Sequence, residues 1–115
     1  VLEELKDLGV DVEDGLKRLN KNETLYKRLL GTFVKTMKAK MIAPDFDATD
    51  CTEAIEIAHA IKGTAGNLSI TPVYKAYSEI VNLLRTGQPE KAREILVEII
   101  PIQNEIIQCI EKHSA

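Results

Sequence analysis

Apolar residues recur every three or four positions along most of the chain, which is the spacing of one face of an α-helix. The pattern predicts five helical segments and no strand. A short segment opens at Asp11, and four longer ones follow Asn22, Asp50, Ser69 and Gly87. We expect Asn22 to cap the second segment and Thr49 or Asp50 to cap the third. Long amphipathic helices joined by short turns are typical of an up-and-down bundle. We therefore expect an all-α fold: an up-and-down four-helix bundle with a short additional N-terminal helix, in one domain spanning residues 1–115.

The buried face is clearest in the third and fifth segments. In the third segment, the apolar positions are spaced four, three, four and three, as in a helix packed inside a bundle: Ala54, Ala58, Ile61, Ala65 and Leu68. In the fifth segment, a similar stripe comprises Ala92, Ile95, Ile99, Ile102, Ile106 and Cys109. Pro101 lies within this segment and removes a backbone hydrogen bond, so we expect a kink or a break there.

The opposite face of the third segment carries an unusual combination of residues. On a helical wheel His59, Lys62, Gly63 and Gly66 fall within one arc, and the apolar stripe is centred roughly 130° away. We therefore expect His59 to point toward solvent. Each glycine costs up to about 1 kcal/mol relative to alanine in a helix interior. Glycine lets another backbone come close, which predicts a surface for close approach beside the histidine.

The residue types on this face suit phosphoryl chemistry. A neutral imidazole is a competent nucleophile near pH 7 because its unperturbed pKa is about 6.5. Lys62 follows His59 by one helical turn, so its ammonium can reach the oxygens of a phosphoryl group on the imidazole. We therefore expect His59 to be the nucleophile and Lys62 to stabilise the phosphoryl group.

The run HAIKGTAGNL, residues 59–68, resembles the signature of histidine phosphotransfer (HPt) domains. The segments around residues 8–12 and 25–33 are similar to the first two helices of that family. Many members have a glycine directly after the Asn-Leu pair, where this chain has Ser69. That position ends the helix in many relatives, so we expect a slightly different helix exit here.

The resemblance implies a function and a partner. His59 would accept a phosphoryl group from an aspartate of one receiver domain and pass it to an aspartate of a response regulator. Gly63 and Gly66 would leave room for the receiver, which would also supply the Mg²⁺ site, so this chain would need no cofactor. Such domains occur at the C-terminus of hybrid sensor histidine kinases. The first residue, Val1, fits an excised piece of such a protein.

Ile55 lies one turn before His59 on nearly the same face, and two interpretations are open for it. It is either buried under the second segment or part of an apolar patch that docks the receiver. The other histidine, His113, lies near the end of the chain, where we expect a frayed helix and no role.

Composition narrows the classes of function. A net charge of −3 over 115 residues argues against a nucleic-acid binder. No apolar run approaches the ~20 residues that span a membrane. Cys51 and Cys109 lie in no CxxC pattern, so we expect reduced thiols and a cytoplasmic setting. Two histidines without an HxxxH pair predict no metal site. We expect a monomer without direct membrane contact.

Two other functions account for part of the pattern. A histidine kinase core also carries a phosphoacceptor histidine on a helical bundle, but it needs an ATP-binding α/β domain. This chain has no nucleotide-binding boxes and no predicted strands for one, so we expect a phosphotransfer protein that is not an enzyme. A structural helical adaptor would explain the bundle but not the glycines beside the histidine.

Overall fold

The fold consists of six α-helices and no strand across residues 2–112, the part of the chain that a computed structural model describes. This confirms the predicted all-α class. The helices are α1 (Leu2–Asp7), α2 (Val12–Arg18), α3 (Glu23–Ala39), α4 (Thr52–Asn67), α5 (Thr71–Arg85) and α6 (Pro89–Lys112).

The starts of α2 and α3 follow from side-chain caps that are visible in the sequence. The carboxylate of Asp11 accepts a hydrogen bond from the backbone N–H of Asp14, at 3.1 Å. The Asn22 side chain accepts from the N–H of Leu25, at 3.0 Å, as predicted for an N-cap. Each cap satisfies one of the backbone donors that the first helical turn leaves unpaired.

The start of α4 differs slightly from the prediction. Thr49 or Asp50 was expected to cap this helix, but Cys51 occupies the N-cap position and its side chain makes no capping bond. The Asp50 carboxylate still accepts a hydrogen bond from the N–H of Thr52, at 3.1 Å. Asp50, one residue before the N-cap, therefore still satisfies a backbone donor of the first turn.

Helix α1 is an element that the sequence pattern did not predict. It is only six residues long, and Leu5, its one buried residue, is fully enclosed. The helix contacts both α2 and α6. Such a short helix depends on this packing, because isolated short helices are unstable in water.

The four long helices surround a shared core. Helix α5 packs extensively against α4 and α6, and α3 closes the arrangement by contacting the same two helices. The molecule measures 43 × 24 × 22 Å. Its long dimension follows from α6, because 24 helical residues extend about 36 Å.

Two tyrosines are the largest fully buried side chains, and both hydroxyls have partners. Tyr26 on α3 donates to the backbone carbonyl of Leu68 at the end of α4, at 2.8 Å. Tyr77 on α5 donates to the side-chain oxygen of Gln103 on α6, at 2.6 Å. Burial raises the pKa of both tyrosines to about 12. Both hydroxyls therefore remain protonated and tie neighbouring helices together.

Helix α6 differs in part from what its sequence predicted. It runs through Pro101, so of the two expected outcomes, a kink or a break, the break is excluded. The proline leaves the Val97 carbonyl without its helical partner, but both residues are exposed and water can pair with it. The buried stripe is also offset, because Ile102 is 40% exposed. Isoleucines lie on both sides of the core face of α6, so the apolar spacing was compatible with two neighbouring choices of buried face. The buried residues of α6 are Ala92, Leu96, Ile99, Gln103, Ile106, Ile107, Cys109 and Ile110, so four of the six predicted positions lie in the core.

Candidate functional site

Helix α4 separates core residues from site residues as its periodicity predicts. Its buried side chains are Ala54, Ala58, Ile61 and Ala65. His59 is exposed, which confirms that it points away from the core. Small side chains on the buried face let α5 pack closely against α4, so the orientation of His59 is held by the bundle.

His59 and Lys62 lie one turn apart, so their Cβ atoms are about 5–6 Å from each other. Neither side chain makes a hydrogen bond or an ion pair with any of residues 2–112. Lys62 is half-buried and His59 is exposed. An unpaired imidazole is available as a nucleophile, and an unpaired ammonium beside it is available to an anion.

Gly63 lies beside this pair on open surface. A Cβ atom built on Gly63 would meet no atom within 4 Å outside its own helical turn. The glycine therefore makes no room for any part of the chain that the structure describes. Gly63 therefore leaves open surface beside His59.

Gly66 has a different environment from Gly63. A Cβ atom there would lie 3.0 Å from two ring carbons of Tyr74 on α5. Contacts this short are rare, so the glycine makes room for the tyrosine. Gly66 lines the same cleft as Gly63, but the space that its missing side chain leaves is taken by the ring of Tyr74. Tyr74 covers Gly66, and this ring is itself 40% exposed.

Ile55 falls between its two interpretations. It packs against the core while part of its side chain remains at the surface. Its exposed part lies one turn before His59, and His59, Lys62 and Gly63 continue that surface along α4. His113, the other histidine, lies outside the described residues.

A cleft of about 420 Å³ lies along this face of α4. It is bounded by α2, α4, the turn after α4, and α5. Its charged lining residues are Lys62, Arg18 and Asp14. This local excess of positive charge contrasts with the net charge of −3 of the whole chain. The complete lining is Asp14, Arg18, His59, Lys62, Gly63, Gly66, Asn67, Ser69, Thr71 and Tyr74.

Ser69 forms one end of the cleft and explains how α4 ends. Its φ of 55° lies in the left-handed region, where glycine is favoured. The N–H of Ile70 donates to the carbonyl of Ala65 at 2.9 Å, and that of Ser69 to Gly66 at 3.2 Å. This is the Schellman pattern of helix termination. Serine therefore occupies the position that glycine usually takes in this motif, and the expected difference in the helix exit is wrong.

The Ser69 hydroxyl joins α2 to this turn. It donates to Oδ2 of Asp14 at 2.5 Å, and Nε of Arg18 donates to the same oxygen at 3.0 Å. The hydrogen bonds from Ser69 and Arg18 lower the pKa of the Asp14 carboxyl below its usual value. Asp14 is therefore ionised at neutral pH and holds Arg18 at the edge of the cleft.

Sequence reasoning missed Arg18, Asp14 and Tyr74 as neighbours of the site. The spacing of Asp14 and Arg18 indicates a helical ion pair, but nothing in it indicates proximity to α4. Tyr74 was assigned no role, although its exposed ring borders the cleft. The one signal in the sequence of a contact at this position was Ser69, which lies where the HPt pattern has glycine.

Comparison with known proteins gave no match to a family model, a curated protein or a solved structure. In residues 2–112, no three His, Cys, Asp or Glu side chains converge closely enough to hold a metal ion. No helix in the same range is both long and apolar enough to cross a lipid bilayer.

Proposed function

We propose that this chain is a histidine phosphotransfer domain that carries a phosphoryl group on His59 between receiver domains in the cytoplasm. Helices α3–α6 are the proposed up-and-down four-helix bundle, to which α1 and α2 are added. The observation that carries the proposal is the open surface on α4, where an unpaired imidazole lies beside Lys62 and the uncovered Gly63.

The chemistry requires one nucleophile and one approaching acyl phosphate. A neutral imidazole nitrogen of His59 attacks the phosphorus of a receiver's aspartyl phosphate. The new N–P bond forms as the P–O bond to the aspartyl oxygen breaks, and the aspartate leaves as a carboxylate. The same steps in reverse transfer the phosphoryl group to an aspartate of a second receiver.

The residues around His59 contribute position and charge to this step. Transfer needs the two reacting groups in line and close together. Gly63 presents no side chain in the path of the incoming receiver. The Lys62 ammonium offsets negative charge on the phosphoryl oxygens during transfer and on the phosphohistidine product. The Mg²⁺ that this chemistry uses would be bound by the receiver and not by this chain.

Labelling by phosphorylated receiver domains tests the proposal. A panel of receivers carrying ³²P-aspartyl phosphate is incubated with the wild type, with His59→Gln and with the matched control His113→Gln. We expect acid-labile label on the wild type and on the control, and none on His59→Gln. His59 is exposed, so its loss should change stability by less than about 0.5 kcal/mol.

Two results would contradict the proposal. Label retained by folded His59→Gln would place the phosphoryl group elsewhere, and a wild type that no receiver labels would remove the phosphotransfer function. A further sample contains only the purified chain, labelled ATP and Mg²⁺, and we expect no label on the chain. Direct labelling by ATP would favour a kinase.

A further inference from the structure

The cleft beside His59 has a second end that phosphoryl transfer does not require. There, α2 contributes Asp14 and Arg18, and the turn after α4 contributes Ser69. The backbone N–H of Asp11 also donates to the Ser69 carbonyl, at 3.0 Å. With the bond from the Ser69 hydroxyl to Asp14, two hydrogen bonds connect the start of α2 to this turn.

The identity of residue 69 has no backbone explanation. Its left-handed φ of 55° disfavours residues that carry a side chain, and glycine would adopt it without strain. What serine adds is the hydroxyl that holds Oδ2 of Asp14. That oxygen also receives Nε of Arg18, so the hydroxyl helps to orient the guanidinium.

The guanidinium of Arg18 is bonded to Asp14 through one nitrogen, and its other nitrogens are available to a ligand. Its Nε is bonded to Asp14, while its two terminal nitrogens make no hydrogen bond to any of residues 2–112. The side chain is 56% exposed. A guanidinium presents a planar fork of donors that matches a carboxylate. The structure therefore presents a pre-oriented fork at the edge of a positively charged cleft.

Arg18 is anchored through Asp14 to Ser69, at the end of the cleft away from His59. Ser69 follows His59 by ten residues, which is about 15 Å along a helix. Lys62, at one turn, is the cation close to a phosphoryl group on His59. We therefore expect Arg18 to meet the surface of a docked protein and not the group that is transferred.

We propose that Arg18, positioned by Asp14 and Ser69, is a specificity-determining docking residue that recognises a carboxylate on the surface of the receiver domain. This inference rests on the proposed function of His59. The two cations of the cleft, Arg18 and Lys62, outnumber its one carboxylate, Asp14, so along this face a carboxylate on the partner is favoured over a cation. Receivers with a carboxylate at that point bind, and receivers with a cation there are repelled.

Transfer kinetics and binding together test this role. The variants are Arg18→Ala and the matched control Lys17→Ala, which removes an exposed cation of the same helix outside the cleft. For the preferred receiver, we expect Arg18→Ala to raise KM about fivefold with kcat unchanged, and Lys17→Ala to leave both near wild type. The difference should shrink at 0.5 M salt, since the contact is partly exposed.

Ser69→Gly tests the positioning part of the proposal. Glycine retains the left-handed turn, so the melting temperature should not fall because of backbone strain. Loss of the hydroxyl should still raise KM in the direction of Arg18→Ala. Ser69→Asn should restore a KM near wild type, because asparagine tolerates this conformation and can donate to Asp14.

Binding of the unphosphorylated receiver is also measured in a His59→Gln background, where no transfer occurs. A weaker Kd for Arg18→Ala in this background supports the docking role of Arg18. If the wild type takes no label from any receiver, only the proposed phosphotransfer function is rejected, because the binding measurement does not depend on transfer. Equal KM and Kd for Arg18→Ala and Lys17→Ala overturn the inference while leaving His59 phosphorylation intact. A change in kcat alone would place Arg18 on the phosphoryl group and also overturn it. A normal KM in Ser69→Gly rejects the positioning role.

Discussion

Glycine has different roles at the two ends of the outer face of α4. At the His59 end, Gly63 is uncovered, and no side chain of the described chain lies over it. At the Ser69 end, Gly66 receives the ring of Tyr74, and α2 is bonded to the turn. Glycine at the first end leaves room for another molecule, and at the second end for this chain's own packing. Glycine substitutions should therefore affect the approach of a partner at Gly63 and the packing of Tyr74 at Gly66.

The largest effect on phosphoryl transfer is expected for Gly63→Gln, at the His59 end. A Cβ atom there meets no atom of residues 2–112 within 4 Å outside its own helical turn, so the melting temperature should be unchanged or higher. It stands in the path of the receiver, so transfer should fall by at least about tenfold. Gly31→Gln is the matched control, because a Cβ on Gly31 of α3 also meets nothing within 4 Å.

Thermal melting and receiver-dependent labelling of both variants check this expectation. The control should melt and transfer like the wild type. Unfolding of Gly63→Gln would mean that the glycine serves packing after all, and normal transfer by a folded variant would show that the receiver docks elsewhere.

Lys62→Ala should also act on the reaction more than on the fold. Its ammonium has no ion-pair partner among residues 2–112, so stability should change by about 0.5 kcal/mol or less. Transfer should slow about tenfold, since a preorganised charge beside the phosphoryl group is lost. Rapid-quench measurement of transfer to and from a receiver is the test, with Lys75→Ala on the exposed surface of α5 as control. Unchanged rates in both directions would remove Lys62 from the site.

Gly15→Ala should produce the largest change in stability. A Cβ on this buried glycine of α2 would lie 2.5 Å from a ring carbon of Tyr26 and 2.9 Å from the Leu68 carbonyl oxygen. Tyr26 donates to that same carbonyl, so the methyl group would disturb the contact between α3 and the end of α4. Overpacking costs about 1–3 kcal/mol, less up to about 1 kcal/mol of improved helix propensity. Urea unfolding should show a lower midpoint, and a midpoint at or above wild type would contradict this packing.

The smallest effect is the difference between alanine at Gly63 and at Gly66. Gly63→Ala should raise the free energy of unfolding by up to about 1 kcal/mol. Gly66→Ala should raise it less, because the Tyr74 ring must move. In a Tyr74→Ala background the two substitutions should become equal, and a double-mutant cycle measures this. Equal gains with Tyr74 present would show that the ring does not restrict position 66.

Helix positions and caps were largely predictable from the chain alone, because both depend on residues a few positions apart. Asn22 capped α3 as expected, and the stripe of α4 correctly placed His59 at the surface. The predictions failed where local pattern was ambiguous or absent. The six residues of α1 are too few for a period to emerge. In α6, apolar residues on adjacent stripes left the choice of buried face to the neighbouring helices.

The sequence by itself determined the all-helical fold, the outward direction of His59 and its pairing with Lys62, because these follow from the 3.6-residue period. Only the tertiary structure decided which glycine is open and which is covered, since Tyr74 reaches Gly66 from another helix. It alone placed α2 beside the end of α4, where Asp14 binds both Arg18 and, across 55 positions of sequence, Ser69. Contacts between distant segments depend on how helices pack, and a local pattern of residues does not encode that arrangement.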